Sequence, residues 1–133
     1  MKPVLHALDL SNHWQLSDTM IERVKLTATA KQQLITLKRR TGIEHYNIIC
    51  RHALMTSLGS DKALPAEALN FSGGIEIDWK VFAGDAADTY LNLIAMRAKQ
   101  DKGTVTIESV RATLTSHVHR GLSLLVSNSK FSI

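Results

Sequence analysis

The sequence contains a single cysteine, Cys50. One thiol excludes an internal disulfide and suits a reducing compartment, so a cytoplasmic protein is expected. No apolar run approaches the length that crosses a bilayer, which excludes a membrane-spanning helix. The N-terminus lacks a charged stretch followed by an apolar one, so no signal peptide is read. Only seven residues are aromatic, which leaves burial to aliphatic helix packing. No P-loop, HExxH or CxxC occurs, nor any repeat or low-complexity segment, and no metal or cofactor is expected. Most conspicuously, no acidic residue lies between Arg23 and Ile43.

That acid-free stretch holds six basic residues: Arg23, Lys25, Lys31, Lys38, Arg39 and Arg40. The net charge of +4 belongs to the same half of the chain. Residues 1–66 hold nine basic and five acidic residues, whereas residues 67–133 hold seven of each. Val24 and Leu26 alternate with Arg23, Lys25 and Thr27, a short half-buried strand. Thr27 suits an N-cap, with Thr29 and Gln32 as a competing capping box. The helix that follows places Ala30, Leu34 and Leu37 on one side and Lys31, Lys38 and Arg39 on another, around Ile35. Arg40 projects separately, and Gly42 suits the left-handed residue that closes a helix. Cations near a helix C-terminus can simply oppose its dipole, which covers Lys38, Arg39 and Arg40. That explanation does not reach Arg23, Lys25 or Lys31, so a polyanion partner is the stronger reading. No aromatic side chain is interleaved with these cations, so contact with phosphates is expected, not stacking.

A second helix is predicted near His45–Leu58, with Ile49, Cys50, Ala53, Leu54 and Leu58 at helical spacing. Cys50 within that stripe reads as a small buried hydrophobe. Residues 59–74 form a connection with Leu64, Leu69 and Phe71 as anchors, and Gly73-Gly74 leaves room for another backbone. Ile75, Ile77 and Trp79 alternate as a short strand. A helix after Gly84 carries Ala87, Tyr90, Leu91, Ile94 and Ala98 on a wide apolar side. Arg97 falls within that side and is expected to make a structural ion pair. The last helix runs from about Ile107 to Val126 behind a Thr106 cap. Gly121 in its middle costs about 1 kcal/mol relative to alanine, which close approach of another helix would offset. Residues 1–21 form an N-terminal extension, with His6 and His13 assigned no metal. Residues 127–133 form a loose tail.

HVHRG, His117 to Gly121, is the most enzyme-like string. His117 and His119 are two apart on a helix and diverge, so they cannot share a metal ion. His117 reads as a packed histidine and Arg120 as the partner of a neighbouring carboxylate. Asp85 and Asp88 read as compensation of a helix dipole. No nucleophile with an ordered base is visible, and a non-catalytic protein is expected.

Strand, helix, glycine turn, helix is the order of the ribbon-helix-helix unit. The wording of the sequence narrows this. Leu37 to Ile43 (LKRRTGI), Asn47 to Leu58, Trp79 to Gly84 and His117 to Gly121, in that order over roughly residues 22–126, resemble the DndE family of DNA phosphorothioation systems. The resemblance implies a non-enzymatic subunit acting beside a cysteine desulfurase, a PAPS-reductase-like protein and an ATPase. It further implies a homotetramer that holds nicked duplex DNA through a lysine cluster. Lys31, Lys38 and Arg39 match that cluster, with Lys25 and Arg23 as flankers. Ala28, Thr29 and Ala30 depart from it by opening the helix without charge, and Gln32 and Gln33 take further outward positions.

The expectation is therefore a single, mainly α domain over residues 22–126. It comprises a ribbon-helix-helix-like N-terminal unit, C-terminal helices and a short β element. An oligomer, tetrameric by resemblance, is also expected from the apolar surface around Tyr90, Leu91 and Ile94, with Leu122 and Leu124 flanking the last helix. Two rivals remain open. One is a ribbon-helix-helix repressor reading bases with Arg23, Lys25 and Thr27. The other is a structural adaptor whose basic face meets an acidic protein.

Overall fold

The computed structural model describes residues 21–131. The histidines, Trp14 and Leu16 of the expected N-terminal extension lie outside the described residues. Strand β1 (Arg23–Leu26) leads into helix α1 (Ala28–Thr41), and α2 (Tyr46–Leu58) follows. Strand β2 (Ile75–Asp78) is joined directly to a short helix, α3 (Trp79–Ala83), and a 3-10 turn. Helices α4 (Ala87–Lys102) and α5 (Ile107–Ser127) complete the order. The domain is mainly helical with one two-stranded antiparallel sheet among the described residues.

Local chemistry sets most of these boundaries. Thr27, not Thr29, caps α1: its hydroxyl accepts from Ala30 N–H at 3.0 Å. Gly42 ends α1 at φ 76°, in the left-handed region. Thr106 and Ser109 cap α5 reciprocally, each side chain bonding the other's backbone N–H. Trp79, expected as the last alternating strand residue, instead begins α3, its N–H bonded to Glu22 O at 2.8 Å.

The core lies where α5 packs against α2, α1, α4 and β1. Val24, Leu26, Leu34, Leu37, Ile49, Leu54, Leu91, Ile94, Val118 and Leu122 are all buried there. Gly121 is the closest point between helices α2 and α5: a Cβ added to it would sit 1.8 Å from Ala53 O. The backbones of α2 and α5 therefore touch at Ala53 and Gly121, the close approach expected from a mid-helix glycine. Gly74 is a second such point, its hypothetical Cβ 1.7 Å from Leu26 O.

Three expectations need correction. β1 is not left open to pair with a second chain along the edge that holds β2; Arg23 faces Asp78 and Leu26 faces Ile75 in antiparallel register. The strand-helix-helix order is present, but the ribbon closes within the chain because β2 supplies a complementary edge. The apolar residues Leu91, Ile94 and Leu122 are buried inside the chain, so they give no argument for an oligomer. What stays exposed is scattered, with Met96 at 70% and Val81 at 51%. The tail does not leave the fold at Ser127 either. Phe131 returns to the core and meets the His52 ring edge-on, with centroids 5.6 Å apart. Ile21, at the end of the expected extension, is likewise buried.

Candidate nucleic-acid interface

Helix α1 buries Ala30, Leu34 and Leu37, which fixes where every other side chain points. Lys31 and Lys38 lie on one flank, Arg39 at the solvent pole, and Arg40 on the opposite flank. Lys38 Nζ stands 5.6 Å from the centre of the Tyr46 ring, a cation–π contact that holds the ammonium at the surface. Among the described residues, no carboxylate lies within ion-pair distance of Lys25, Lys31, Lys38 or Arg39. The Lys38 flank borders a cleft that also contains Glu44, Glu76 and Asp78, so the positive surface has an acidic margin.

The other two cations are engaged. Arg40 donates to Val126 O and Asn128 O, each at 2.8 Å. Both acceptors belong to the end of α5, where carbonyls lack helical partners. Gln33, on the same flank, donates to Ser123 Oγ at 3.1 Å. Arg23 lies 3.6 Å from Glu76 and 3.8 Å from Asp78. The basic stretch is free of acid in sequence but not in space, because β2 aligns two carboxylates with β1. Of the six cations, Lys25, Lys31, Lys38 and Arg39 stay uncompensated by an ion pair or hydrogen bond among the described residues.

The most ordered polar cluster is a different one. His117 Nε2–H donates to Asp101 Oδ2 at 2.8 Å, and Nδ1 accepts from the Ser57 hydroxyl at 2.7 Å. Arg97 Nε donates to Asp101 Oδ1 at 3.0 Å, and Arg120 Nε donates to Ser57 Oγ at 2.8 Å. This serine, imidazole and carboxylate relay is the nucleophile-and-base arrangement that the sequence did not reveal. Its imidazole is turned relative to a hydrolytic triad, with Nδ1 and not Nε2 on the hydroxyl. Ser57 and His117 are both 0% exposed, and the Ser57 oxygen also accepts from Arg120. The cluster acts as a brace.

Arg97 and Arg120 extend that brace to the end of α2. Arg97 donates to Leu58 O at 2.7 Å and to Ser60 O at 3.2 Å. Arg120 donates to Ser57 O at 2.9 Å and to Lys62 O. Arg97 makes the structural ion pair expected of it, with Asp101. Arg120, expected to meet a carboxylate, caps carbonyls instead, since the C-terminus of α2 presents unpaired acceptors there. Among the described residues no cluster of three histidine, cysteine or acidic side chains could hold a metal ion. Burial pushes the Cys50 thiol up to about 12, so it stays protonated.

His119 joins the N-terminal unit to α5. Its Nδ1–H donates to Thr115 O at 2.7 Å, and Nε2 accepts from Thr27 N–H at 3.1 Å. A proton on Nε2 would face that amide donor. Burial pushes both His117 and His119 below the ordinary imidazole value of 6.5. For His117 the hydrogen bond to Asp101 pulls the other way but does not win. The Asp101 carboxyl is raised by burial, yet its bonds from His117 and Arg97 outweigh that and hold it below the usual range. A histidine lowered in the folded state stabilises fully above its unfolded value and loses that contribution as pH falls through it. The free energy of unfolding should therefore fall from about pH 6.5 downward, at up to about 1.4 kcal/mol per pH unit for each histidine, and the melting temperature should fall with it. A melting temperature constant between pH 7.5 and 5.5 would contradict two neutral, hydrogen-bonded imidazoles.

Phe71 is the residue whose role sequence reasoning missed. Expected as a buried anchor, it is 38% exposed and stands in a cleft with Arg23, Lys25 and Arg111. The basic residues thus do have an aromatic neighbour. No spacing signal could have shown it, because the cleft joins β1, the 59–74 connection and α5.

No match was found among curated proteins. The family described as DNA sulphur modification protein DndE matches residues 23–132. The crystal structure of DndE from Escherichia coli B7A, involved in DNA phosphorothioation modification, superposes with a TM-score of 0.64 at 20% identity. That alignment covers 79% of this chain and 98% of the other. A DndE mutant with lysines in place of two glycines gives 0.60 at 20% identity, over 80% and 98%. These likenesses are of fold, helices and small sheet together. With the family match spanning nearly all the described residues, they establish that the chain belongs to the DndE family of DNA sulphur modification proteins.

Proposed function

We propose that this protein is a non-catalytic, DNA-binding subunit of a DNA phosphorothioation system. It holds duplex or nicked DNA through the exposed side of α1 formed by Lys31, Lys38 and Arg39, with Lys25 beside it. The observation that carries this reading is the unpaired state of these cations on a helix that is itself pinned. Thr27, Gln33 and Arg40 all tie α1 to α5, so the ammonium and guanidinium groups project from a fixed support. Side chains of this kind make phosphate contacts, which position DNA without reading it. Arg23 and Arg40 take supporting roles, one balancing β2 and the other closing α5.

Family membership supports a role beside the other sulfur-modification proteins, here read as the cysteine desulfurase, the PAPS-reductase-like protein and the ATPase. The sulfur chemistry falls to those partners, since Ser57 and His117 are sealed in the brace. The homotetramer rests on the resemblance, because Leu91, Ile94 and Leu122 are covered within the chain, while Tyr90 is half-buried and only Leu124 is exposed. A cytoplasmic location follows from the substrate. Among the described residues, no helix is long and apolar enough to cross a membrane.

Binding of two unrelated duplexes, one random and one palindromic, tests the reading. Affinities should agree within a few fold, and both should fall steeply with salt. A repressor would instead prefer one sequence by several kcal/mol; that preference would displace the present proposal.

A further inference from the structure

The cleft between β1 and α5 has a volume of about 320 Å³. This is at the lower end of the ~300–1,000 Å³ range for small-ligand sites. Its wall includes Arg23, Lys25 and Arg111, with Glu22 as the one acidic group among the described lining residues and Thr115 as a hydroxyl. Part of the Arg23 charge is answered by Glu76 and Asp78, so Lys25 is the cation of this wall with no ion pair among the described residues.

Phe71 is presented to this cleft by a built turn. Asn70 Oδ1 accepts from Ser72 N–H at 2.9 Å, and Phe71 O accepts from Gly74 N–H at 3.2 Å. Gly73 takes φ 77°, a conformation that side chains rarely adopt. Gly74 presses against Leu26 O, where no Cβ would fit. Phe71 also meets the His119 ring edge-on, at 6.2 Å between centroids. An exposed phenyl held this firmly beside cations has the makeup of a single-strand binding site, in which bases stack on aromatics and phosphates meet a basic groove.

We propose that this cleft binds one nucleotide of a DNA strand whose base is out of the helical stack. The base lies on Phe71, and the flanking phosphate meets Lys25. The site rests on the proposal that α1 binds DNA, and it adds a preference for an unpaired position within that DNA. A fully paired duplex offers the cleft no free base face.

The full-length protein, titrated by fluorescence anisotropy against an intact duplex and the same duplex with a short single-stranded gap, tests the proposal. Phe71→Ala should weaken binding to the gapped DNA by roughly 5- to 150-fold, the factor associated with one stacked base. Its affinity for the intact duplex should stay within about twofold, as expected where no base stacks. Phe71→Trp should keep the gapped-DNA affinity, and the fluorescence it adds over wild type should be quenched by gapped DNA alone. That signal decides the matter if the alanine variant melts early. Equal weakening on both DNAs, or none on the gapped one, would remove the stacking site and leave the α1 face standing. A wild type that binds neither DNA would overturn both.

Discussion

Gly121→Ala is expected to destabilise the protein severely for the addition of a single methyl group. The added carbon would lie 1.8 Å from Ala53 O, 2.3 Å from Ala53 C and 2.7 Å from Ala53 Cα. All three are backbone atoms of α2, so no side chain can rotate aside. Relief requires α2 and α5 to separate along the interface on which the core is built. Overpacking by flexible neighbours costs about 1–3 kcal/mol; a backbone-to-backbone clash belongs at or beyond the top of that range. A fall in melting temperature of about 10 °C or more should follow for a domain of this size. Gly59→Ala is the matched control. Its Cβ would meet Met55 O at 3.4 Å and Thr56 O at 3.7 Å, both ordinary contacts, and Gly59 has an ordinary right-handed conformation. A Gly121→Ala protein that melts within 2 °C of wild type would show that the two helices do not touch where the structure puts them.

The combined substitution Lys31→Ala, Lys38→Ala and Arg39→Ala is expected to remove most of the affinity for DNA of any sequence. Each phosphate contact contributes about 0.9 to the slope of log affinity against log salt, so three lost contacts should lower it by about 2.7. The loss is expected to be uniform across duplexes, because phosphates are common to all of them. Folding should change little: alanine is the best helix former, and the contact of Lys38 with Tyr46 is worth only about 0.5–1 kcal/mol. Arg40 is left out of this set because its removal would take its donor from Val126 O and leave Asn128 O with the Phe131 N–H alone. Anisotropy titrations at several salt concentrations, with the melting temperature as control, give both quantities. An unchanged slope would place the DNA surface elsewhere.

What could be read from the sequence divides by the range of the interaction. The caps at Thr27 and Thr106 and the left-handed Gly42 are local chemistry, and all stand where their residue types put them. Gly121 was legible too, because glycine within a long helix needs a reason. Arg39 and Arg40 mark the limit of such reasoning. They are adjacent in sequence, yet the 100° turn between them sends one to solvent and the other onto Val126 and Asn128. Helical periodicity separated the two, but only the position of α5 shows what Arg40 does. The carboxylates beside Arg23 were hidden for a similar reason, since β2 lies some fifty residues along the chain. The relay of Ser57, Asp101 and His117 and the cleft at Phe71 are assembled from separate elements and carry no spacing signal.

The anchoring of α1 to α5 also bears on the order in which the protein comes into being. The basic helix is made some eighty residues before His119, Ser123, Val126 and Asn128, which hold it. β1 must likewise wait for β2 before its edge is paired. Contacts spanning so much of the chain slow folding, because the ends of a long loop must meet before either gains anything. A nascent chain on the ribosome therefore carries the positive charge of α1 without the frame that aims it. The frame that aims the charged face of α1 is therefore complete only once α5 has been made and has docked.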